Sequence, residues 1–540
     1  MDKIKYFCSK DCPDACEFYI EIKNSKVIFT PIKDKFLNKG FVCKKLKGFY
    51  KREIEENSFY KNDNIIENLA QFLSKNRNKK ILFYRGSGSL GYYMGFWDKL
   101  FSHFENCYFI NGSPCDETGI IAHTEDFGVC INPDIENLER TDSIILFGKN
   151  AYVTSPHLFL YLNKLKKTGK NIIYIDPIKS KTAQIANNYI QINPATDGIL
   201  AYLILAKLGY EKYDKNLLNI VGISENELET VVNNTYNNKT GIIVGMGLQR
   251  YSNGKNAIQW INRLAYHTNN INNLYYSRSS KEGIKKIDIN KKNTINIVDI
   301  PNFLRKNFFD IIVIIAANPV VTMPENSIWI DALNKAKTVV IDTNQTETTQ
   351  YADYFIKVGG MFSQDEIQGS YFFNKTLKRK AFLNDTPSDI DIIKQLSNLL
   401  NIDIDMPDIE NIKTTSQTKK RLFNNKTIDL KLPYNEQNRI RLITLSHENY
   451  LNSQTEIIEK DTIFISKKIA KKLSIKDRDI VTIKNKQGQC KVMCQISDKI
   501  KGYNAFAYKN RSLCFNSLTK STKTDANLAI SYYDLFVSIE

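Results

Sequence analysis

No stretch of this 540-residue chain approaches the roughly 18 consecutive apolar residues that a membrane-spanning helix requires. The longest apolar run, IIVIIAA at 311–317, has the length of a buried strand. The opening MDKIKYFCSKDC lacks both a hydrophobic export segment and paired arginines, so a cytoplasmic location and no membrane span are expected. Cysteine is scarce: ten thiols in 540 residues cannot make the cross-linked framework of a small secreted domain. Basic side chains exceed acidic ones by 75 − 58 = 17, but no basic stripe is interleaved with aromatics. The excess reads as a lysine-covered surface, and no nucleic-acid partner is expected. Hydrophobic residues at 42% and charged residues at 25% are ordinary for a globular chain, and at this length three or four structural units are expected.

The thiols that are present are unevenly placed. Cys8, Cys12 and Cys16 fall within YFCSKDCPDACEFYI, residues 6–20. On a helix they would spread over about 12 Å, too far for one tetrahedral ion, and Pro13 favours a loop. A loop can close the three around one centre with Cys43 of GFVCKKLKG as the fourth ligand. Between them FYIEIKNSKVIFTPI, residues 18–32, reads as a hairpin turning at Asn24 and Ser25. The resulting C-x3-C-x3-C-x26-C matches neither the paired C-x2-C knuckles of zinc ribbons nor the C-x2-C-x2-C of bacterial ferredoxins. A [4Fe-4S] cluster fits best, with a zinc ion and unligated thiols as alternatives.

CSKDCPDAC followed by GFVCKKLKGFYKR resembles the N-terminal segment of the molybdopterin-dependent oxidoreductases of the dimethyl sulfoxide reductase and formate dehydrogenase superfamily. The resemblance implies a [4Fe-4S] cluster on Cys8, Cys12, Cys16 and Cys43, and a bis(molybdopterin guanine dinucleotide) cofactor carrying Mo or W. It also implies that Lys45 lies between cluster and pterin; on its own Lys45 is one more lysine in a lysine-rich tract.

After the strand-like KKILFYR, Gly86, Gly88 and Gly91 repeat the spacing of a dinucleotide fingerprint. The following strand, CYFIN, ends at Asn111 and lacks the acidic residue of a nicotinamide site, so a glycine-bearing turn of the superfamily is the better account. In FINGSPCDETGIIAHTEDFG, Cys115 is by itself a small buried hydrophobe; by resemblance it coordinates Mo or W, for which a soft thiolate is suited. Asp116 stands where the formate dehydrogenase pattern has His. Asp116, Glu117 and His123 are the titratable groups nearest Cys115 in sequence and are candidate proton relays, His123 equally a satisfied helix histidine.

From residue 142 the pattern SIILFGKN, NIIYIDP and YIQINPATDG alternates strand with helix, as in a doubly wound parallel sheet whose ligands bind beyond the strand carboxyl ends. Gly148, Asn150, Asp176, Pro177, Thr182, Pro194, Thr196 and Asp197 occupy those ends. Singly each is an ordinary turn or cap residue. Together, with Gly245, Gly247, Gln249 and Arg250 of GIIVGMGLQRYSNG, they resemble guanine dinucleotide-binding loops. Asn318, Thr343, Glu347, Thr348 and Asp353 repeat the logic in another such unit. Residues 403–436 read as a linker. Short β-patterns after residue 437 suggest a closed barrel, resembling the superfamily's C-terminal cap, in which His447, Asn452, Ser453, Gln454, Asn516 and Thr519 would reach the pterins.

The expected fold is therefore α/β and multi-domain: a small iron–sulfur domain (1–55), two doubly wound Rossmann-like units (56–118 with 303–402, and 119–302), the linker, and a C-terminal β-barrel (437–540). The expected function is a two-electron oxidoreductase of a small-molecule substrate, relaying electrons to a ferredoxin-like or iron–sulfur partner. A non-catalytic iron–sulfur electron-transfer or assembly subunit of the same fold is the alternative.

Overall fold

Pentapeptides such as ILFYR and IIVII are apolar on both faces, and such runs form strands only in parallel sheets covered on both sides. The computed structural model describes residues 3–24, 26–59, 64–86, 91–278, 287–370, 375–413, 421–449, 451–454 and 460–540. It resolves into two units, residues 1–111 with 279–417 and residues 112–278 with 418–540. No helix among the described residues is long and apolar enough to cross a membrane.

The first unit is built on a six-stranded parallel sheet in the order Asn293–Asn296, Cys107–Asn111, Ile81–Arg85, Ile311–Ile315, Lys337–Asp342, Tyr354–Lys357. The amphipathic helix Ile65–Lys75 lays Ile66, Leu69 and Leu73 on the sheet's core cluster. The helix Asp389–Leu399 packs there too, begun by a reciprocal Ser388–Asp391 capping box. The expected hairpin is present as Glu17–Lys23 against Lys26–Pro31, with Asn24 at φ 50°, and Ile4–Phe7 completes a three-stranded antiparallel sheet. Ser25 and Gly88 lie outside the described residues.

One buried carboxylate fastens this N-terminal segment to the rest of its unit. Glu53, on the helix Lys45–Phe59, accepts the Phe362 N–H at 3.0 and 3.1 Å and the Ser363 hydroxyl at 2.7 Å. Around it Tyr6, Phe29 and Tyr50 pack on the Phe362 ring at 5.1–5.7 Å between centroids.

The second unit carries a five-stranded parallel sheet in the order Leu274–Tyr276, Thr240–Val244, Ser143–Phe147, Asn171–Ile175, Asn188–Ile190, and a six-stranded closed barrel from Ile440 to Ile539. Three of the four expected barrel segments are the strands Ile440–Leu445, Thr462–Ile465 and Asn504–Tyr508. The fourth is a hairpin, Ile480–Asn485 with Gly488–Ile496, and Phe536–Ile539 closes the ring. Cys494 and Cys514 are buried in the barrel core, with Cys490 packed against it.

Two boundaries move. The sheet pairing Asn296↔Asn111 draws residues 293–302 into the first unit, so the expected breaks at 118/119 and 302/303 fall at 111/112 and 278/279. The second half of the expected linker is a packed strap. Arg421 donates to the Ile271 and Leu274 carbonyls at 2.8 and 2.9 Å, Phe423 stacks on Tyr266 at 4.2 Å, and Ile428 and Leu430 join the second unit's core. Apolar residues spaced irregularly along an extended chain gave no period by which to see this.

Removal of the clamp, Glu53→Ala, leaves buried donors unanswered and should cost about 2–3 kcal/mol locally. Amide hydrogen exchange of the full chain should then quicken in 45–59 and 360–364 together. Unchanged protection in both segments would show that the carboxylate does not fasten them.

Candidate functional site

In an open parallel sheet the ligand crevice lies where neighbouring strands send their connections to opposite sides. In the second unit this point falls between Ser143–Phe147 and Thr240–Val244. The two strand ends come so close that a Cβ on Gly245 would sit 1.9 Å from the Gly148 carbonyl oxygen, and Gly148 itself has φ 55°. Both glycines are therefore required by geometry. Beyond them Thr182 donates its hydroxyl to Asn150 Oδ1 at 3.0 Å, latching the loops together.

The first unit repeats this arrangement. At its switch point, between Ile81–Arg85 and Ile311–Ile315, a Cβ on Gly86 would meet the Ala316 carbonyl oxygen at 2.1 Å, and Ala316 has φ 49°. Thr348 donates to Asn318 Oδ1 at 2.7 Å, and Asn318 donates to Glu347 at 2.8 Å. Each sheet thus presents a narrow backbone cradle closed by an Asn–Thr latch.

Each cradle has its own pair of buried acids. In the second unit Asp176 follows the strand Asn171–Ile175, and Asp197 begins the helix Asp197–Lys207. Asp176 accepts from the Tyr174 hydroxyl at 2.8 Å and the Ile178 N–H at 2.9 Å, and burial pushes its carboxyl up to about 7. Burial and the Asp176 charge raise Asp197 to about 7 as well, and its Oδ1 has no hydrogen-bond partner among the described residues. In the first unit the matching acids are Asp342, pushed up to about 6 by burial, and Asp389, raised to about 6 by burial and the Asp342 charge. Asp389 is held by Trp97 Nε1 at 2.7 Å and Gln364 Nε2 at 2.9 Å. Asp342 and Asp389 were not singled out from the sequence, although Asp342 closes its strand where Asp176 follows one. A carboxylate pair of this kind can accept the paired N–H groups of a guanine edge.

Cys115 lies in the turn before the helix Glu117–Phe127, with its N–H bonded to Ser113 Oγ at 3.0 Å. The Ser113 N–H reaches the Leu528 carbonyl at 3.1 Å, so the turn is tied to the barrel of its own unit. Arg250 hydrogen-bonds the Cys115 thiol, donates to the Pro114 carbonyl at 3.2 Å, and lies over the Tyr532 ring at 5.3 Å. Lys509, following the strand Asn504–Tyr508, feels both groups. Burial and the Arg250 charge push its ammonium down to about 7, against the opposing pull of Cys115. A soft sulfur ligand at this place would suit a metal such as Mo or W.

In the first unit the four N-terminal thiols interact electrostatically with one another. Burial and the Cys43 charge push Cys8 up to about 11, and burial raises Cys12, Cys16 and Cys43. Backbone N–H groups are aimed at the sulfurs, from Lys10 to Cys8, from Asp14 to Cys12, and from Lys45 and Leu46 to Cys43. Among the described residues no three His, Cys, Asp or Glu groups close on a single metal ion. The four thiols are thus neighbours supplied with backbone N–H donors, a setting in which thiolates could be held.

Other predicted residues sit apart from these groups. His123 is buried between the Phe127 and Tyr276 rings at 4.6 and 4.5 Å, and burial with the Arg421 charge pushes its imidazole well below the usual range. That is the setting of a core histidine, neutral at pH 7. Gln249 accepts from Gly119 N at 3.1 Å and donates to the Ser277 carbonyl at 2.9 Å, bracing the fold from inside. Asp353 bonds Thr338 N at 2.8 Å and Lys337 at 2.7 Å, at the amino end of its sheet and opposite the cradle. Thr343 donates its N–H to Asp342 at 2.6 Å. The Pro177 carbonyl accepts from Gln191 at 3.0 Å. Pro194 and Thr196 line a cavity of about 710 Å³ shared with Arg439, Arg441, Tyr503 and Phe536 of the barrel. Gly247 follows Gly245 in the cradle loop, and Asp116 is the buried residue at the N-cap position of the helix after Cys115, with no side-chain capping bond. His447 packs on Tyr508 at 5.0 Å, Asn452 and Ser453 form a turn closed by a Leu451–Gln454 bridge, and Asn516 lies on the helix Cys514–Leu518.

The acid pair has a pH consequence with a definite sign. Carboxyls held near 7 in the folded chain and near about 4 when unfolded keep their protons longer when folded, so stability falls as pH rises from about 4 to about 7. Asp197→Asn should flatten that decline in the cofactor-free chain and add on the order of 1 kcal/mol above pH 7. Parallel thermal melts of variant and parent across that range check it; identical slopes would mean the carboxyl is not buried as a proton holder.

Comparison with known proteins agrees with this anatomy. The sequence profile of the family described as Molybdopterin oxidoreductase matches residues 63–356, and that of the Molydopterin dinucleotide binding domain matches residues 440–534. "Probable oxidoreductase YyaE" of Bacillus subtilis is 23% identical over 428 residues, 68% of this chain and 64% of that protein. The chain therefore spans less than two thirds of that relative's length. The "Assimilatory nitrate reductase catalytic subunit" of the same organism is 34% identical over 94 residues, 17% of this chain and 13% of that protein. Among solved structures, acetylene hydratase from Pelobacter acetylenicus superposes with a TM-score of 0.72 over 99% of both chains at 11% identity, a likeness of fold. With more than half of its residues matched by the first profile, this chain belongs to the molybdopterin oxidoreductase family.

Proposed function

We propose that this chain is a cytoplasmic molybdenum- or tungsten-dependent oxidoreductase acting on a small-molecule substrate. In this reading it exchanges electrons with a ferredoxin-like partner or iron–sulfur subunit through a [4Fe-4S] cluster. The bound bis(molybdopterin guanine dinucleotide) and its metal would supply the two-electron chemistry, and the protein supplies position and field. Cys115 would hold the metal. Cys8, Cys12, Cys16 and Cys43 would hold the cluster, and Lys45, at the start of the helix after Cys43, would lie between cluster and pterin. The two cradles, each with its acid pair, would receive one guanine dinucleotide apiece. Asp116, buried beside Cys115, is the nearer candidate for moving a proton than the core-bound His123.

The observation that carries this reading over a non-catalytic scaffold is Cys115 itself. A chain that had lost the metal would have no use for a partly accessible thiol bonded by Arg250 in a cationic setting. Cys115→Ala tests it. The variant should keep its iron and its visible cluster absorption, lose most of its Mo or W, and lose at least about tenfold in dye-linked turnover. Formate, nitrate, and N- and S-oxides serve as the substrate panel. A variant that retains metal and turnover in full would contradict the ligand role, and a parent protein with iron but no metal would return the choice to the scaffold.

A further inference from the structure

In the first unit the strand Glu366–Ser370 runs antiparallel to Lys375–Arg379, with Glu366 opposite Arg379 and Gln368 opposite Leu377. Opposite residues of such a pair share a face, so Glu366, Gln368, Ser370, Leu377 and Arg379 point one way, and all five are buried. This face lies along the N-terminal thiol loop and touches it at three places. Arg379 donates to the Ser9 hydroxyl at 2.8 Å, the Ser370 hydroxyl donates to the Pro13 carbonyl at 2.7 Å, and Leu377 packs with Phe7 and Ala15. The loop is closed by the Cys8 N–H, which donates to the Cys16 carbonyl at 3.0 Å.

Two side chains on this face are left unanswered. Arg379 is 5% exposed, and among the described residues its guanidinium donates to neutral oxygens alone: the Tyr6 hydroxyl at 2.7 Å, the Gln364 carbonyl and the Ser9 hydroxyl. Its Nε has no partner there. The acid directly opposite supplies no charge, because burial pushes the Glu366 carboxyl up to about 8 against the pull of Arg379, and it keeps its proton at pH 7. Gln368 is fully buried, and neither end of its amide has a hydrogen-bond partner among the described residues. A buried cation touching no anion, and a buried amide without a bond, are each unfavourable until a further group completes them. The guanidinium and the amide nitrogen both call for a negative acceptor beside the thiol loop.

We propose that this face is the outer shell of the iron–sulfur cluster, with Arg379 as its counter-charge and Gln368 as a donor to it, and that the two raise its reduction potential. The inference rests on the cluster reading above and deepens it by naming residues that set the potential. Thiolate ligands make such a cluster anionic, and reduction adds one more negative charge. A buried cation and N–H donors at its edge therefore favour the reduced form. One electron passes to the cluster iron from the reduced partner, or from dithionite in a titration, and no bond is made or broken.

Arg379→Gln removes the charge and keeps donors, Arg379→Lys keeps the charge, and Gln368→Leu removes an amide that makes no bond among the described residues. Each is purified anaerobically as the full chain, its iron is counted, and the midpoint potential is read from the cluster's EPR signal during dithionite titration. Arg379→Gln should keep the parent's iron and lower the reduction equilibrium constant at least about tenfold, a midpoint about 59 mV more negative for one electron. Arg379→Lys should restore most of this. Gln368→Leu should shift the midpoint the same way by less, and melt no lower than the parent. A parent-like midpoint in Arg379→Gln would overturn the proposal and leave Arg379 a stitch between strand pair and loop. Should that variant not fold, a parent-like midpoint in Gln368→Leu overturns it. A parent chain with no iron or no cluster signal would instead sink the cluster reading beneath it.

Discussion

Two close approaches of backbone to backbone govern this molecule. Where Gly245 passes Gly148, and where Gly86 passes Ala316, there is no room for a Cβ. With a side chain at either place the strand ends would separate and the loops beyond them would lose their register. Parallel strands bring their carboxyl ends, and the helix N-termini that follow, to one edge. The close crossing turns that edge from a broad shelf into a narrow slot. The Asn150–Thr182 and Asn318–Thr348 latches then fix the slot's walls with one hydrogen bond each.

The acid pairs follow from the same constraint. Asp176 follows a strand and Asp342 ends one, and Asp197 and Asp389 open helices, so the two acids of each unit feel each other's charge, buried deeply enough to hold protons at unusually high pH. Buried carboxyls are unfavourable unless donors or cations answer them. Their appearance in both units, together with the unpartnered Asp197 Oδ1, is what one expects of sites completed by a ligand rich in N–H donors. At Cys115 the neighbouring side chain is instead a cation, Arg250.

Much of this was legible in the sequence because the signals are local. The CSKDCPDAC spacing, the strand-end residues from Gly148 to Asp197, and the Cys115 turn need only a few neighbouring residues to be recognised. The β-patterns of the barrel were legible for the same reason. What escaped depends on contacts distant in sequence. Lys509 looks like any other lysine until the barrel strand before it delivers it to Arg250 and Cys115, 259 and 394 residues away in the chain. Asp389 reads as a helix-start acid until it meets Asp342. His123 and Gln249 had plausible local contexts but were claimed by packing, His123 by the Phe127 and Tyr276 rings and Gln249 by two backbone bonds. The strap at 421–436 lacked any period, since an extended chain lying on a core needs only scattered apolar anchors.

The central claim is that the two slots would each take a guanine dinucleotide and that Cys115 would hold the metal. The most direct measurement is the stoichiometry of anaerobically purified protein from a host with intact cofactor synthesis: Fe, Mo, W and Zn by mass spectrometry, and GMP after acid hydrolysis. The account predicts two GMP, one Mo or W and about four Fe per chain, with no stoichiometric zinc. Iron without Mo, W or GMP, or zinc in place of iron, would contradict it.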